Sequence, residues 1–127
     1  MLWAWLKKIL FPSTGAWAER EAAKFLKDKG IKILARNYKA HPDELDIIAR
    51  EKRELVFVEV RARKAQAIVP GAQTLGAKKH HALRRGIRAY LRENGHGENP
   101  PWRFDIVEVK YKTRRDFEIY HYPRCEL

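Results

Sequence analysis

Hydrophobic and polar positions recur at two spacings along this chain, and each spacing predicts a different kind of element. DELDIIA (43–49) and LVFVEVR (55–61) are short, β-branched and apolar, as strands are, with turn-forming residues Glu51 to Glu54 between them. Alternation puts Leu45, Ile47, Val56, Val58 and Val60 on one face of this hairpin and Glu44, Asp46, Glu59 and Arg61 on the other. Residues 17–29 follow a helical spacing and stop at Gly30. A first strand is predicted over 31–38, and a small-residue loop punctuated by Gly and Pro over 64–76. A second helix spans 77–93, with Leu83, Ile87, Tyr90 and Leu91 on its apolar side. Strands at 103–110 and 117–122 complete the chain, the last one at a sheet edge. A helix between two strands implies a right-handed crossover and parallel pairing. The expected architecture is α/β, a single mixed β-sheet flanked by helices.

The hairpin that keeps the two faces together sets Asp46 opposite Glu59, Ile47 opposite Val58 and Ile48 opposite Phe57. Carboxylates facing each other on neighbouring strands repel, so a cation between them is expected, and a divalent metal is the obvious candidate. The ordinary alternative is a set of solvated charges on the wet face of an antiparallel hairpin. Glu19 precedes Ala22, Ala23 and Leu26 by three, four and seven positions and so shares their buried stripe. It is either paired, part of a site, or a first-turn acid favoured by the helix dipole. Lys79 stands one turn before Leu83, on the same side of its helix.

Charge adds a partner to this picture. Lysine and arginine number 27 against 16 acidic residues, a net charge of +11 in 127 residues, which suggests a polyanion. No acidic residue occurs from Arg61 to Arg92, a one-signed block that argues for phosphate contacts. Its candidate nucleic-acid-binding residues are Arg63, Lys64, Lys78, Arg84, Arg85, Arg88 and Arg92.

Length and a 45% hydrophobic content fit one domain over 15–127, preceded by an apolar segment over 1–14. That segment carries Lys7 and Lys8, is too short to span a bilayer and lacks a signal-peptide pattern. It packs on the body or on a second copy, or lies at a membrane surface through residues 1–11. A single cysteine, Cys125, permits no internal disulfide and fits a reducing, cytoplasmic compartment. Gly-rich phosphate loops, a nucleophile elbow and zinc-ligand spacing are all absent.

AEREAAKFLKDKG (18–30), Asn37-Tyr38, DELDIIA, LVFVEVRAR (55–63), KHHAL (79–83), AYL (89–91) and RFDIVEV (103–109) together resemble the YraN family. That family is similar to a branch of the PD-(D/E)xK nucleases. The resemblance covers residues from about 15 to about 110. It implies a restriction endonuclease-like core, α-β-β-β-α-β. Glu19 matches the acid of the first helix, Glu44 and Asp46 the carboxylates of a G-E-I-D motif, and Glu59 the acid of an E-V-K motif. By the same resemblance Arg63 and Lys79 match basic positions beside the site. Asp46 and Glu59, with Glu44 near them, would hold Mg2+ or Mn2+, and Glu19 would complete the shell or orient water.

The sequence departs from that pattern where the motif lysine is Arg61, which keeps the charge but cannot give up its proton. Asp43 in place of the motif glycine and Ala18 before Glu19 are milder departures. Glu19, Asp46, Glu59, Arg61 and Lys79 are therefore the candidate catalytic residues, with Lys79 able to stand in for the motif lysine. The expected activity is hydrolysis of DNA phosphodiesters. The alternative is a catalytically inactive module that kept the fold and binds nucleic acid, DNA ahead of RNA. A homodimer through the apolar N-terminus or the edge strand is a further expectation.

Overall fold

The computed structural model describes residues 14–40, 42–66, 76–95 and 100–127. Residues 1–13 of the apolar N-terminal segment and most of the expected 64–76 loop lie outside the described residues. In chain order the elements are α1 (Thr14–Asp28), β1 (Lys32–Ala40), β2 (Asp43–Glu51), β3 (Glu54–Lys64), α2 (Ala77–Glu93), β4 (Trp102–Thr113) and β5 (Asp116–Tyr122). The strands form one five-stranded sheet in the order β1-β2-β3-β4-β5. Only β3 and β4, joined through α2, run parallel; the other pairs are antiparallel. This is the mixed α/β core expected from the sequence, with β5 at one edge.

Each face of the sheet is covered by one helix because each helix carries a single apolar stripe. Ala22, Ala23 and Leu26 of α1 pack on Ile47, Ala49, Val56, Val58 and Val107. On the opposite face, Leu83, Ile87 and Tyr90 of α2 meet Ile48, Leu55, Phe57, Phe104 and Ile106. Gly86 lets α2 come down close: a Cβ there would lie 3.0 Å from Leu45 Cδ2. Gly30, at φ +88°, ends α1, where its amide bonds the Lys27 carbonyl.

Three details differ from the sequence expectation. The β2–β3 turn is two residues long, Lys52-Arg53, because Glu51 pairs with Glu54 across the ladder. That like-charged pair is tolerated because Arg103 Nη1 donates to both carboxylates, at 2.8 and 3.1 Å. Strand β4 is longer than 103–110, since β5 pairs with it out to Thr113. Leu45 does not share the Ile47 face but is buried with Phe57 and Leu55 under α2. The β2–β3 ladder begins at Ile47↔Val58, and Leu45 pairs instead with Tyr38 of β1, which packs against the same cluster.

Candidate functional site

The register that alternation predicts is realised at Ile47↔Val58 and Ile48↔Phe57 and stops there. One position further, Asp46 leaves the ladder and its carboxylate does a backbone's work: Oδ2 accepts the Val60 amide at 2.9 Å. This holds Asp46 where the two strands part, in hydrogen-bonding contact with both Glu19 of α1 and Glu59 of β3. Asp46 of β2 is thus brought against one carboxylate from α1 and one from β3.

Lys79, on the first turn of α2, closes the group from the other side, with Nζ 2.9 Å from Glu59 Oε2. Burial, and then the neighbouring Asp46, push the Glu59 carboxyl up to about 8, with Lys79 pulling the other way. Burial and Asp46 likewise push Glu19 up to about 7. Burial alone would lower the Lys79 ammonium; Glu59 outweighs it and raises it. Near neutral pH the cluster therefore keeps protons that isolated carboxylates would have lost. A cleft of about 380 Å³ opens on it, lined by Glu19, Asp43, Glu44, Asp46, Lys79, Ala82 and Leu83.

Asn37 is a member of the site that sequence reasoning missed. It holds φ +51°, a left-handed conformation that asparagine tolerates better than most residues. Its side-chain amide donates to Glu19 Oε2 at 2.8 Å and to Glu44 Oε1 at 3.1 Å, tying α1 to the sheet. Glu44 stands at the rim rather than in the centre, its other oxygen 2.6 Å from Lys39 Nζ. Asp43 is taken by Arg85, which reaches both of its oxygens at 2.9 Å and holds its carboxyl below the usual range.

The basic candidates separate into two groups. Arg61, Arg63 and Lys64 lie at the end of β3, beyond Glu59. Burial and the nearby charge of Arg63 lower the Arg61 guanidinium, while Glu108 and Glu59 partly offset this. Lys78, Arg84, Arg85, Arg88 and Arg92 are exposed on α2. Of these, Arg85 is committed to Asp43, and Arg84 meets the backbone oxygen of Leu127.

The donor chemistry fits a hard dication. The acids of the cluster offer carboxylate oxygens, and a cation beside them would offset the burial, and then the repulsion from Asp46, that raise Glu19 and Glu59. Among the described residues no three His, Cys, Asp or Glu side chains are grouped as ligands to a common point.

A mixed sheet between two helices, with acids of α1, β2 and β3 meeting where β2 and β3 part, defines the restriction endonuclease-like, nuclease-fold class. The profile of the Uncharacterised protein family UPF0102 matches residues 18–109, and the chain belongs to that family, the YraN branch of the PD-(D/E)xK superfamily. A UPF0102 protein from Syntrophotalea carbinolica is 38% identical over 111 residues, 87% of this chain and 89% of its own. One from Roseiflexus castenholzii is 36% identical over 86% of this chain and 89% of its own. One from Symbiobacterium thermophilum is 40% identical over 76% and 80%. Fold and family point to a nucleic-acid-binding role. Among the described residues no helix is long and apolar enough to cross a membrane.

Proposed function

We propose that the chain is a metal-dependent endonuclease that hydrolyses DNA phosphodiesters at the Glu19–Asp46–Glu59 cluster. The observation that carries this reading is the contact of those three carboxylates, with Lys79 set against Glu59 at 2.9 Å. Asp46 and Glu59 would hold Mg2+ or Mn2+, with Glu44 and Asn37 steadying the rim. When bound, the ion supplies Lewis-acid stabilisation of charge on phosphorus and lowers the pKa of water.

The chain's own residues supply the rest. Water bonds to phosphorus as one P–O bond of the diester breaks; one proton leaves the water and one reaches the departing oxygen. Glu19, with a carboxyl at about 7, is matched to carry a proton near neutral pH. Lys79 stands where an ammonium can meet a phosphate oxygen and so takes the place of the motif lysine. Arg61 keeps a fixed positive charge beside the cluster but, unlike a lysine, can never act as a base.

A second reading, a binding module without chemistry, is favoured by Arg61 at the motif position. Cleavage of single-stranded, duplex and four-way-junction DNA with Mg2+ or Mn2+, run beside Glu59→Ala and Arg61→Lys, separates the two. The nuclease reading expects cutting by the native chain, reduced by at least about 100-fold in Glu59→Ala. Silence from the native chain and from Arg61→Lys, with DNA binding retained, would overturn it in favour of the binding module.

A further inference from the structure

The strand ends beyond the acidic cluster carry a second feature that the one-signed block does not contain. Parallel pairing sets Glu59 beside Ile106, Arg61 beside Glu108 and Arg63 beside Lys110. The β4–β5 register shifts between Tyr111 and Thr113, and Lys112 there lines one pocket together with Lys110. Arg114 and Arg115 follow at the β4–β5 turn. Lys110, Lys112, Arg114 and Arg115 are all exposed.

Parallel pairing thus puts two cations, Arg63 and Lys110, side by side on neighbouring strands. The acid beside Lys110 on β5 is Glu118, which accepts the Tyr120 hydroxyl and forms no ion pair with Lys110. No ion pair holds Lys110, Lys112, Arg114 or Arg115 among the described residues. On α2, by contrast, three of the six exposed cations, Lys79, Arg84 and Arg85, already have partners within the chain.

We infer that Arg63, Lys110, Lys112, Arg114 and Arg115 form a phosphate-binding track along which the backbone of a nucleic-acid substrate leaves the acidic cluster. This rests on the nuclease-fold reading above and adds to it the path of the substrate. At about 3.3 Å per residue, the line from Glu59 through Arg63 to the level of Lys112 runs roughly 13 to 20 Å. At about 3.4 Å per nucleotide along one strand, that covers roughly four to six nucleotides. The ligand is the sugar–phosphate backbone, read without regard to base.

The test is the salt dependence of binding to labelled duplex and single-stranded DNA, without divalent ions. Lys110→Gln/Lys112→Gln/Arg114→Gln is compared with Lys24→Gln/Lys27→Gln/Lys32→Gln, which removes the same charge from exposed sites on α1 and β1. Thermal melts of both variants establish that each is folded. On duplex the log–log slope is expected to fall by about 0.9 for each phosphate no longer neutralised, roughly 2 to 3 in all, in the first variant only. An equal fall in both variants would overturn the track, because net charge alone would then explain it. So would an unchanged slope in the first variant alongside a reduced one in Arg88→Gln/Arg92→Gln, an outcome that leaves nucleic-acid binding standing. A native chain that binds neither DNA at low salt would overturn both the track and the reading beneath it.

Discussion

Glu59 concentrates the chemistry of this fold in one side chain, nearly buried, with Asp46 on one side and Lys79 on the other. Its carboxyl at about 8, and that of Glu19 at about 7, lie above the ordinary 4.5. A raised folded pKa means that the folded chain binds more protons than the unfolded one, so the contribution is fully present below about pH 4.5 and lost as pH rises towards 8. Without divalent ions, the melting temperature is therefore expected to fall between pH 6 and 9. Glu59→Gln should flatten that fall and raise stability at pH 8 by roughly 1–3 kcal/mol. A pH-independent midpoint in the native chain would contradict this. The placement of such residues is legible in the sequence, Glu19 on its helical stripe and Lys79 one turn before Leu83, while it is the family resemblance that ties them to a site. Asn37 is not legible in this way, because its role depends on a backbone angle and on carboxylates from two other elements.

At the scale of elements, the helices and the β2–β3 register follow from periodicity, since each element has one dominant buried stripe. Alternation along β2 puts Leu45 on the wrong face: it pairs with Tyr38 of β1, and both pack in the cluster under α2. Strand β4 hides a different feature. Asp105 is 0% exposed and satisfied by Arg103 Nε, His121 Nε2 at 2.8 Å and the Arg124 amide. His121 in turn meets Lys29 through Nδ1 at 2.8 Å. The network joins the C-terminal end of α1 to β4, β5 and, through Arg103, the β2–β3 turn, away from the catalytic candidates. Burial would raise the Asp105 carboxyl, but these bonds outweigh it and hold it low. Its contribution is thus present above the ordinary value of 3.8 and lost as pH falls through the acid range. Asp105→Ala leaves Arg103 without its buried partner and should cost about 3–5 kcal/mol in urea unfolding. A cost below about 1 kcal/mol would show the network to be ornamental.

For the molecule as a whole, the fold divides the opposite charges that the sequence runs together. Glu19 of α1 and Glu59 of β3 both lie against Asp46 of β2, while cations line the strand ends beside them. The basic block and its polyanionic partner are legible in the sequence, but the division is not, because sheet pairing brings Lys110 beside Arg63 from 47 positions away. The proposed chemistry depends on a cation site at the three carboxylates. It is tested most directly by titrating Mn2+ into the native chain and into Asp46→Ala at pH 8, following free Mn2+ by electron paramagnetic resonance. Saturable binding by the native chain, lost in Asp46→Ala, is expected. Equal binding by both chains, or none by the native one, would contradict it.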